Sequence, residues 1–161
     1  MSGTDEDVLQ LLLVGVDGSD GSRRAVEWAA RMARATGASV LAVQVLTYDG
    51  EFLRDLTLDT IRTWRRELEH DVKTSWVVPL REAGIAYRCI VVESDSPATG
   101  LLEAADRERV DLLVVGAQGH GNLAGRVLGG VSYRLAHRAR QPVVVVPPDW
   151  SASGQKSGGS S

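Results

Sequence analysis

LQLLLVGVDGSDGSRRAVEWAARMARATGASVLAVQVL, residues Leu9–Leu46, is the stretch that decides the fold. Its first apolar run, near Leu9–Val16, has the length of a buried strand. Residues Arg23–Thr36 then carry apolar side chains at the spacing of one helical face, and Gly37 supplies a C-terminal stop. A second apolar run, Ala38–Leu46, completes a strand–helix–strand unit.

The rest of the chain continues this alternation. The further predicted elements are a long amphipathic helix from Glu51 to about Glu82 that Pro79 bends or ends, a strand at Ile85–Val92, a helix from Ser96 to about Arg109, a strand at Asp111–Gly116, a Gly-rich loop at Ala117–Leu128, a short helix at Gly130–Arg140 and a last strand at Pro142–Val146. Strands that are apolar throughout need cover on both faces. We therefore predict an α/β fold with a single five-stranded parallel sheet and helices on both faces. It would span residues 8–148, with flexible termini at 1–7 and 149–161.

The composition excludes several classes of protein. The 161 residues are 43% hydrophobic and 24% charged, which is typical of a globular domain. The longest apolar run, Leu11–Val16, is far shorter than the ~20 residues of a membrane-spanning helix. A single cysteine, Cys89, excludes an internal disulfide and a Cys-rich zinc site. The net charge of −3 means that the chain has no overall positive charge to attract nucleic acid. With no secretory signal visible, we expect a cytoplasmic protein without a membrane or nucleic-acid partner.

The loop after the fourth predicted strand indicates a phosphate site. It reads GAQGHGNLAGRVLGG over Gly116–Gly130, and six of these fifteen residues are glycine. Glycines let the backbone approach a ligand closely, and the last two open a helix whose free N–H groups attract an anion. Arg126 lies inside the loop, and no acidic residue occurs between Gly116 and Val146. A flexible connector would explain the glycines but not their position between a strand and a helix.

The common nucleotide motifs are incomplete, and one acidic residue has two interpretations. A Gly-Lys-Ser/Thr phosphate loop is absent, and the dinucleotide-like pattern at Gly119–Ala124 lacks its acidic partner ~20 residues later. Asp17 ends the first strand, so it either contacts a ligand or, with Ser19 or Asp20, caps the next helix. Ligands of parallel sheets bind beyond the carboxyl ends of the strands, where the strand order reverses. We therefore expect a site between the loops after strands one and four.

Four segments together resemble the universal stress protein family. They are the opening VGVDGS with its Ala-rich helix, VLAVQVL as the second strand, VDLLVVGAQGHGNL, and LGGVSYRLAHRARQPVVVVP. The family's nucleotide pattern is Gly, two residues, Gly, nine residues, Gly, then Ser or Thr. Gly116, Gly119 and Gly129 match it, whereas Gly130 stands where the family has Ser or Thr. The resemblance implies an adenine nucleotide alpha hydrolase-like, Rossmann-like architecture with ATP as ligand, with or without Mg²⁺.

The resemblance also implies which residues hold the nucleotide. Asp17 would lie near the nucleoside, and the backbone of Val45 would hydrogen-bond adenine. The glycines, with Val131 and Ser132, would hold the phosphates. The full implied set is Gly15, Asp17, Val45, Val115, Gly116, Gly119, Arg126, Gly129, Gly130, Val131 and Ser132.

Three functions stay open at this point. The first is a stress or regulatory protein that binds ATP and acts on an unidentified protein partner. The second is a very slow ATPase or self-phosphorylating protein with Ser132 or a loop serine as acceptor. It is the weaker candidate, because His120 is the one visible base, no residue set assembles a base and a positioned water, and no catalytic residue is assigned. The third is a dimeric interaction module that has lost ATP, which Gly130 favours. The apolar last strand, Pro142–Val146, predicts a homodimer, and the resemblance implies antiparallel pairing of this strand across a two-fold axis.

Overall fold

The computed structural model describes residues 8–48, 54, 56–117 and 128–154. Its strands are β1 Leu11–Gly15, β2 Ser39–Leu46, β3 Tyr87–Glu93, β4 Leu112–Gly116 and β5 Val143–Val146. Its helices are α1 Asp20–Thr36, α2 Leu58–Asp71, α3 Val78–Glu82, α4 Pro97–Glu108 and α5 Gly130–Arg138. The strands form one parallel sheet in the order β3-β2-β1-β4-β5. This confirms the predicted five-stranded parallel sheet.

Helices cover both faces of the sheet because the central strands are apolar on both sides. Leu12 and Val14 of β1 pack in a core with α1 and α3, whereas Leu13 packs on the opposite face with α4 and α5. All three side chains are fully buried. Burial on both faces explains why β1 and β4 have continuous apolar sequences rather than alternating ones.

Capping residues set the bounds of α1. The helix begins at Asp20, three residues before the predicted Arg23, because the Ser19 hydroxyl accepts a hydrogen bond from the Ser22 N–H at 3.1 Å. Gly37 ends it in the left-handed conformation, with φ of 78°. The predicted stop at Gly37 is therefore confirmed.

The middle of the chain differs from the single long helix predicted for Glu51–Glu82. The described part begins with Thr57 as N-cap of α2, and then passes into a π-helical turn at Val72–Trp76. Val77 leaves helical geometry with φ of −108° and ψ of 15°, and α3 follows. Pro79 lies in the first turn of α3 rather than ending a helix, since a residue without an N–H fits there. Residues 49–53 and 55 lie outside the described residues.

Part of the C-terminal segment lies against α1. Trp150 packs on the core of the α1 face, and the Arg31 guanidinium donates a hydrogen bond to the carbonyl of Ala152 at 2.8 Å. Residues 1–7 and 155–161 lie outside the described residues. Among the helices that the structure describes, none is long and apolar enough to span a bilayer.

Candidate functional site

A cavity of about 400 Å³ lies at the carboxyl ends of β1, β2 and β4. This is the place where the strand order reverses, since β1 pairs with β2 on one side and with β4 on the other. Nine of the eleven predicted ligand residues line it: Gly15, Asp17, Val45, Val115, Gly116, Gly129, Gly130, Val131 and Ser132. The other two, Gly119 and Arg126, lie outside the described residues. The predicted residues thus meet at one cavity, while their contacts with a ligand stay a prediction.

The backbone of Val45 faces this cavity. Val43 directs its carbonyl to β1, where it accepts from the Val16 N–H at 2.9 Å, and Leu46 directs its carbonyl to the β3 side, where it accepts from the Ser94 N–H at 3.2 Å. Backbone groups alternate in direction along a strand, so the N–H and C=O of Val45 point to the β1 side. Because β1 ends at Gly15, they lie beyond the end of that strand. β2 therefore offers one donor and one acceptor, side by side, at the cavity wall.

Gln44 is a lining residue that sequence reasoning missed. Its Nε2 donates to the carbonyl of Val45 at 3.2 Å, and its buried Oε1 has no hydrogen-bond partner among the described residues. A ligand that uses the Val45 carbonyl must share it with this amide or displace it. A signal was present, because Gln44 is the one polar side chain in VLAVQVL. The other lining residues not predicted as ligand contacts are Val16, Ser19, Ser22, Val43, Pro97, Leu101 and Ala117.

The N-terminus of α5 borders the cavity without a side-chain cap. Gly129 is its N-cap residue and makes no capping hydrogen bond, whereas Ser19, Thr57 and Ser96 cap α1, α2 and α4 with their side chains. The first N–H groups of a helix have no acceptor inside the helix. The helix dipole adds positive potential at the same point. The cavity thus has an anion-attracting wall made of backbone alone.

Ser132 holds α5 to the end of β4. Its side chain is buried, and its hydroxyl donates to the carbonyls of Ala117 at 3.1 Å and Gly129 at 3.0 Å. A hydroxyl has one proton, so these two acceptors already engage it. The Ser132 side chain therefore positions the helix N-terminus, and only its N–H remains as a donor to an anion.

Asp17 holds the turn that precedes α1. Its Oδ1 accepts from the Ser19 N–H at 2.9 Å and from the Ser19 hydroxyl, and Ser19 in turn caps α1. The cap expected at Asp17, Ser19 or Asp20 is thus confirmed at Ser19, whereas a ligand contact of Asp17 stays a prediction. Ser19 is the cap, Asp17 supports the cap, and Asp17 also lines the cavity.

Two glycines at the site have different structural reasons. A Cβ on Gly116 would lie 2.5 Å from the carbonyl oxygen of Gly21, so β4 and α1 can approach only without that side chain. A Cβ on Gly130 would meet no described atom within 4 Å. Gly116 therefore serves packing, whereas Gly130 leaves open space beside the helix N-terminus.

Ionisable groups are scarce around the cavity. Asp17 is the single ionisable residue among the described lining residues, and the part of the chain that the structure describes holds no cluster of metal-ligating side chains. Cys89 lies on β3 outside the lining, and burial raises the pKa of its thiol, so the thiol is neutral at neutral pH. The described arrangement can bind an anion at the N-terminus of α5 and a planar group with one hydrogen-bond donor and one acceptor at Val45. It holds no acid–base pair for a reaction.

A parallel α/β sheet with an uncapped helix N-terminus at its switch point is characteristic of proteins that bind phosphorylated ligands. The model of the universal stress protein family matches residues 10–147, and the chain belongs to this family. A universal stress protein of Mycobacterium tuberculosis (strain H37Rv) is 35% identical over 144 residues, which cover 84% of this chain and 94% of that protein.

Solved structures agree with this membership. The crystal structure of a universal stress protein in complex with cAMP is 31% identical, with a TM-score of 0.61 over 86% of this chain and 97% of that chain. The universal stress protein from Archaeoglobus fulgidus in complex with dAMP is 22% identical, with a TM-score of 0.62 over 86% and 97% of the two chains. The second likeness shows the fold alone.

Proposed function

We propose that this chain is a cytoplasmic regulatory protein that binds ATP in the cavity between β1, β2 and β4. The observation that carries the proposal is the pairing of an uncapped α5 N-terminus with the exposed backbone edge of Val45 across one cavity. The N-terminus of α5 suits a phosphate group, and the backbone of Val45 suits the hydrogen-bonding edge of a nucleobase. The cAMP named for a relative at 31% identity supports an adenine nucleotide as the class of ligand.

The backbone of Val45 favours adenine over guanine. Adenine presents an acceptor at N1 beside a donor at its 6-amino group, which complements the Val45 N–H and C=O. Guanine presents a donor at N1 and an acceptor at O6, so both contacts would be mismatched. Buried polar groups left unpaired in this way cost about 1–3 kcal/mol each. Val43, Leu101 and Val115 would supply apolar contacts to the ring.

The phosphates would lie at the first turn of α5. The N–H groups of Gly130, Val131 and Ser132 would be the donors there, and Asp17 would accept from a ribose hydroxyl, since all four residues line the cavity. One lining carboxylate does not form a cage for Mg²⁺, which is commonly held by protein carboxylates together with substrate phosphates. Mg²⁺ would therefore arrive with ATP.

Binding rather than turnover is the expected output. Ser132 is buried and donates to two carbonyls, which argues against it as a phosphate acceptor. A bound nucleotide would shift the population of conformations that an unidentified protein partner recognises. A homodimer through β5 is part of the same proposal, because β5 is an edge strand of the sheet.

Calorimetric titration with ATP, GTP and cAMP tests the function. We expect ATP to bind with a Kd below millimolar and GTP at least about 10-fold more weakly, since two mismatched contacts at about 1 kcal/mol or more each exceed the 1.4 kcal/mol of a tenfold change. A tighter Kd for cAMP than for ATP would identify the cyclic monophosphate as the ligand instead. Absence of heat and of thermal protection at millimolar ATP and cAMP would contradict nucleotide binding and favour the dimeric interaction module.

A further inference from the structure

A second and larger cavity lies on the other side of the turn that follows β1. This outer groove, of about 1100 Å³, runs between α1 and the segment from the π-helical turn to α3, and its wall includes Arg31, Trp76 and Ala152. The Arg31 guanidinium already holds a main-chain carbonyl there, that of Ala152, at 2.8 Å. The outer groove thus already holds a turn of the chain's own C-terminal segment.

The segment Asp17–Ser22, which comprises the turn before α1 and the first residues of that helix, separates the two cavities. Asp17 lines the nucleotide cavity, Gly18 lines the outer groove, and Ser19 and Ser22 line both. The same few residues therefore contact a ligand on one side and form the groove wall on the other.

The backbone of Gly18 packs closely against the ring of Trp76. Gly18 has φ of +78°, and a Cβ at this position would lie 2.7 Å from Cζ2 and 2.8 Å from Cε2 of Trp76. The indole therefore packs directly on the backbone of the turn. The contact lies at the surface, with Gly18 exposed and Trp76 half-buried. Because the backbone and the ring are already this close, a displacement of Gly18 towards the ring would push the indole.

Both partners in this contact have a reason to move. The carboxylate of Asp17 that would bond a ligand hydroxyl also holds the Ser19 N–H and hydroxyl through its Oδ1, so a change in its orientation would reach the turn. Trp76 is the last residue of the π-helical turn, and Val77 behind it leaves helical geometry. π-helical turns inside helices are frequent at functional sites.

We propose that the Gly18–Trp76 contact transmits occupancy of the nucleotide cavity to the outer groove. The identity of the ligand rests on the proposed function, whereas the contact itself does not. Ligand binding at Asp17 shifts the turn, the turn shifts Trp76, and the shape of the groove changes. By linkage, a polypeptide that binds the groove changes the affinity for nucleotide by the same factor.

Tryptophan emission tests the proposal in the full chain. We expect ATP to change the emission of the native protein, the Trp76→Phe variant to lose most of that change, and the Trp64→Phe variant to keep it. Trp64 is the matched control because it lies on α2 and lines neither cavity. Calorimetry on all three proteins measures ATP binding separately from transmission.

A second arm needs no ligand. The Asp17→Asn variant alters the cavity side of the turn, and we expect it to shift the emission of the ligand-free protein with Trp76 present and not in the Asp17→Asn, Trp76→Phe double variant. Circular dichroism establishes that each variant is folded. The proposal is overturned if Asp17→Asn leaves the emission unchanged, or if the shift persists without Trp76. A native protein that binds no nucleotide refutes the proposed function, and this second arm then still decides the transmission.

Discussion

Gly130 opens α5 beside N–H groups that have no acceptor inside the helix. A serine there adds a hydroxyl next to the proposed phosphates, and its Cβ meets no described atom within 4 Å. We expect Gly130→Ser to strengthen ATP binding by about 0.5–1.5 kcal/mol, the net value of one hydrogen bond, or about 2- to 13-fold in Kd. Calorimetry with ATP measures the change.

The control for this prediction is Gly130→Ala. It adds the Cβ and the helix propensity of alanine without the hydroxyl. A gain equal to that of the serine variant would show that the hydroxyl does not contact phosphate.

Asp17 has two tasks, so its removal should have two effects. The Asp17→Ala variant removes the acceptor that holds Ser19 and the predicted contact to the nucleoside. We expect the free energy of unfolding in urea to fall by about 1 kcal/mol, as for the loss of a helix cap, and ATP affinity to fall as well. Asp20→Ala is the matched control, because Asp20 lies in the first turn of α1 and lines only the outer groove. An equal loss of ATP affinity in both variants would indicate a general charge effect rather than a contact of Asp17.

At the scale of elements, the approach of α1 to β4 depends on Gly116. A methyl group there would lie 2.5 Å from a backbone carbonyl of α1, whereas one on Gly15 would lie 3.1 Å from the flexible end of Leu101. Backbone cannot move aside as a side chain can. We expect Gly116→Ala to destabilise the fold by about 3 kcal/mol and Gly15→Ala by less than about 1 kcal/mol, the two ends of overpacking costs. Urea unfolding compares the pair, and equal losses would contradict this account.

Whether a strand or helix could be predicted from the sequence depended on which of its side chains are buried. The central strands could be placed from sequence because burial on both faces leaves an unbroken apolar run. The π-helical turn could not be predicted from the sequence in this way. Val72 and Val77 are both fully buried, yet residues five apart lie about 140° apart around an α-helix. Only tertiary packing directs both towards the core.

The candidate site shows the same division. The glycine-rich loop and Asp17 predicted where the cavity lies, and the family resemblance supplied further residues, so that nine of the seventeen described lining residues were predicted. The packing role of Gly116 depends on Gly21, which lies in a distant part of the sequence. The engagement of the Ser132 hydroxyl depends likewise on where β4 ends. Contacts between distant segments leave no local pattern to interpret.

At the scale of the whole molecule, β5 is an edge strand that pairs with β4 alone among the described strands. The carbonyls of Pro142 and Val146 accept from β4 at 3.0 and 2.9 Å, so alternation directs the backbone groups of Val143 and Val145 outwards. The described part of the C-terminal segment lies on α1 instead, with Trp150 on the core of that face. An exposed apolar edge of this kind pairs readily with a second copy.

Val145→Pro tests the homodimer. Proline at this position removes an outward N–H and leaves the β4–β5 ladder intact, which an edge strand tolerates. We expect the native chain to sediment as a dimer at micromolar concentration and the variant as a folded monomer. Val144→Pro is the contrast, because it removes a ladder N–H and should lower the stability of the fold itself. A native monomer, or a Val145→Pro dimer, would rule out pairing through β5.

The pairing of β1 with β4 has a consequence for how the protein is made. The N–H groups of Gln10 and Leu11 bond to the carboxylate of Asp111, 101 and 100 residues later in the chain. While a ribosome synthesises the chain, β1 can pair with β2, and β2 with β3, long before β4 emerges. Until then one flank of β1 is an exposed, fully apolar edge, open to wrong partners. The cavity also needs β4 and the first turn of α5 for its walls, so a chain that stops before them lacks the candidate site altogether.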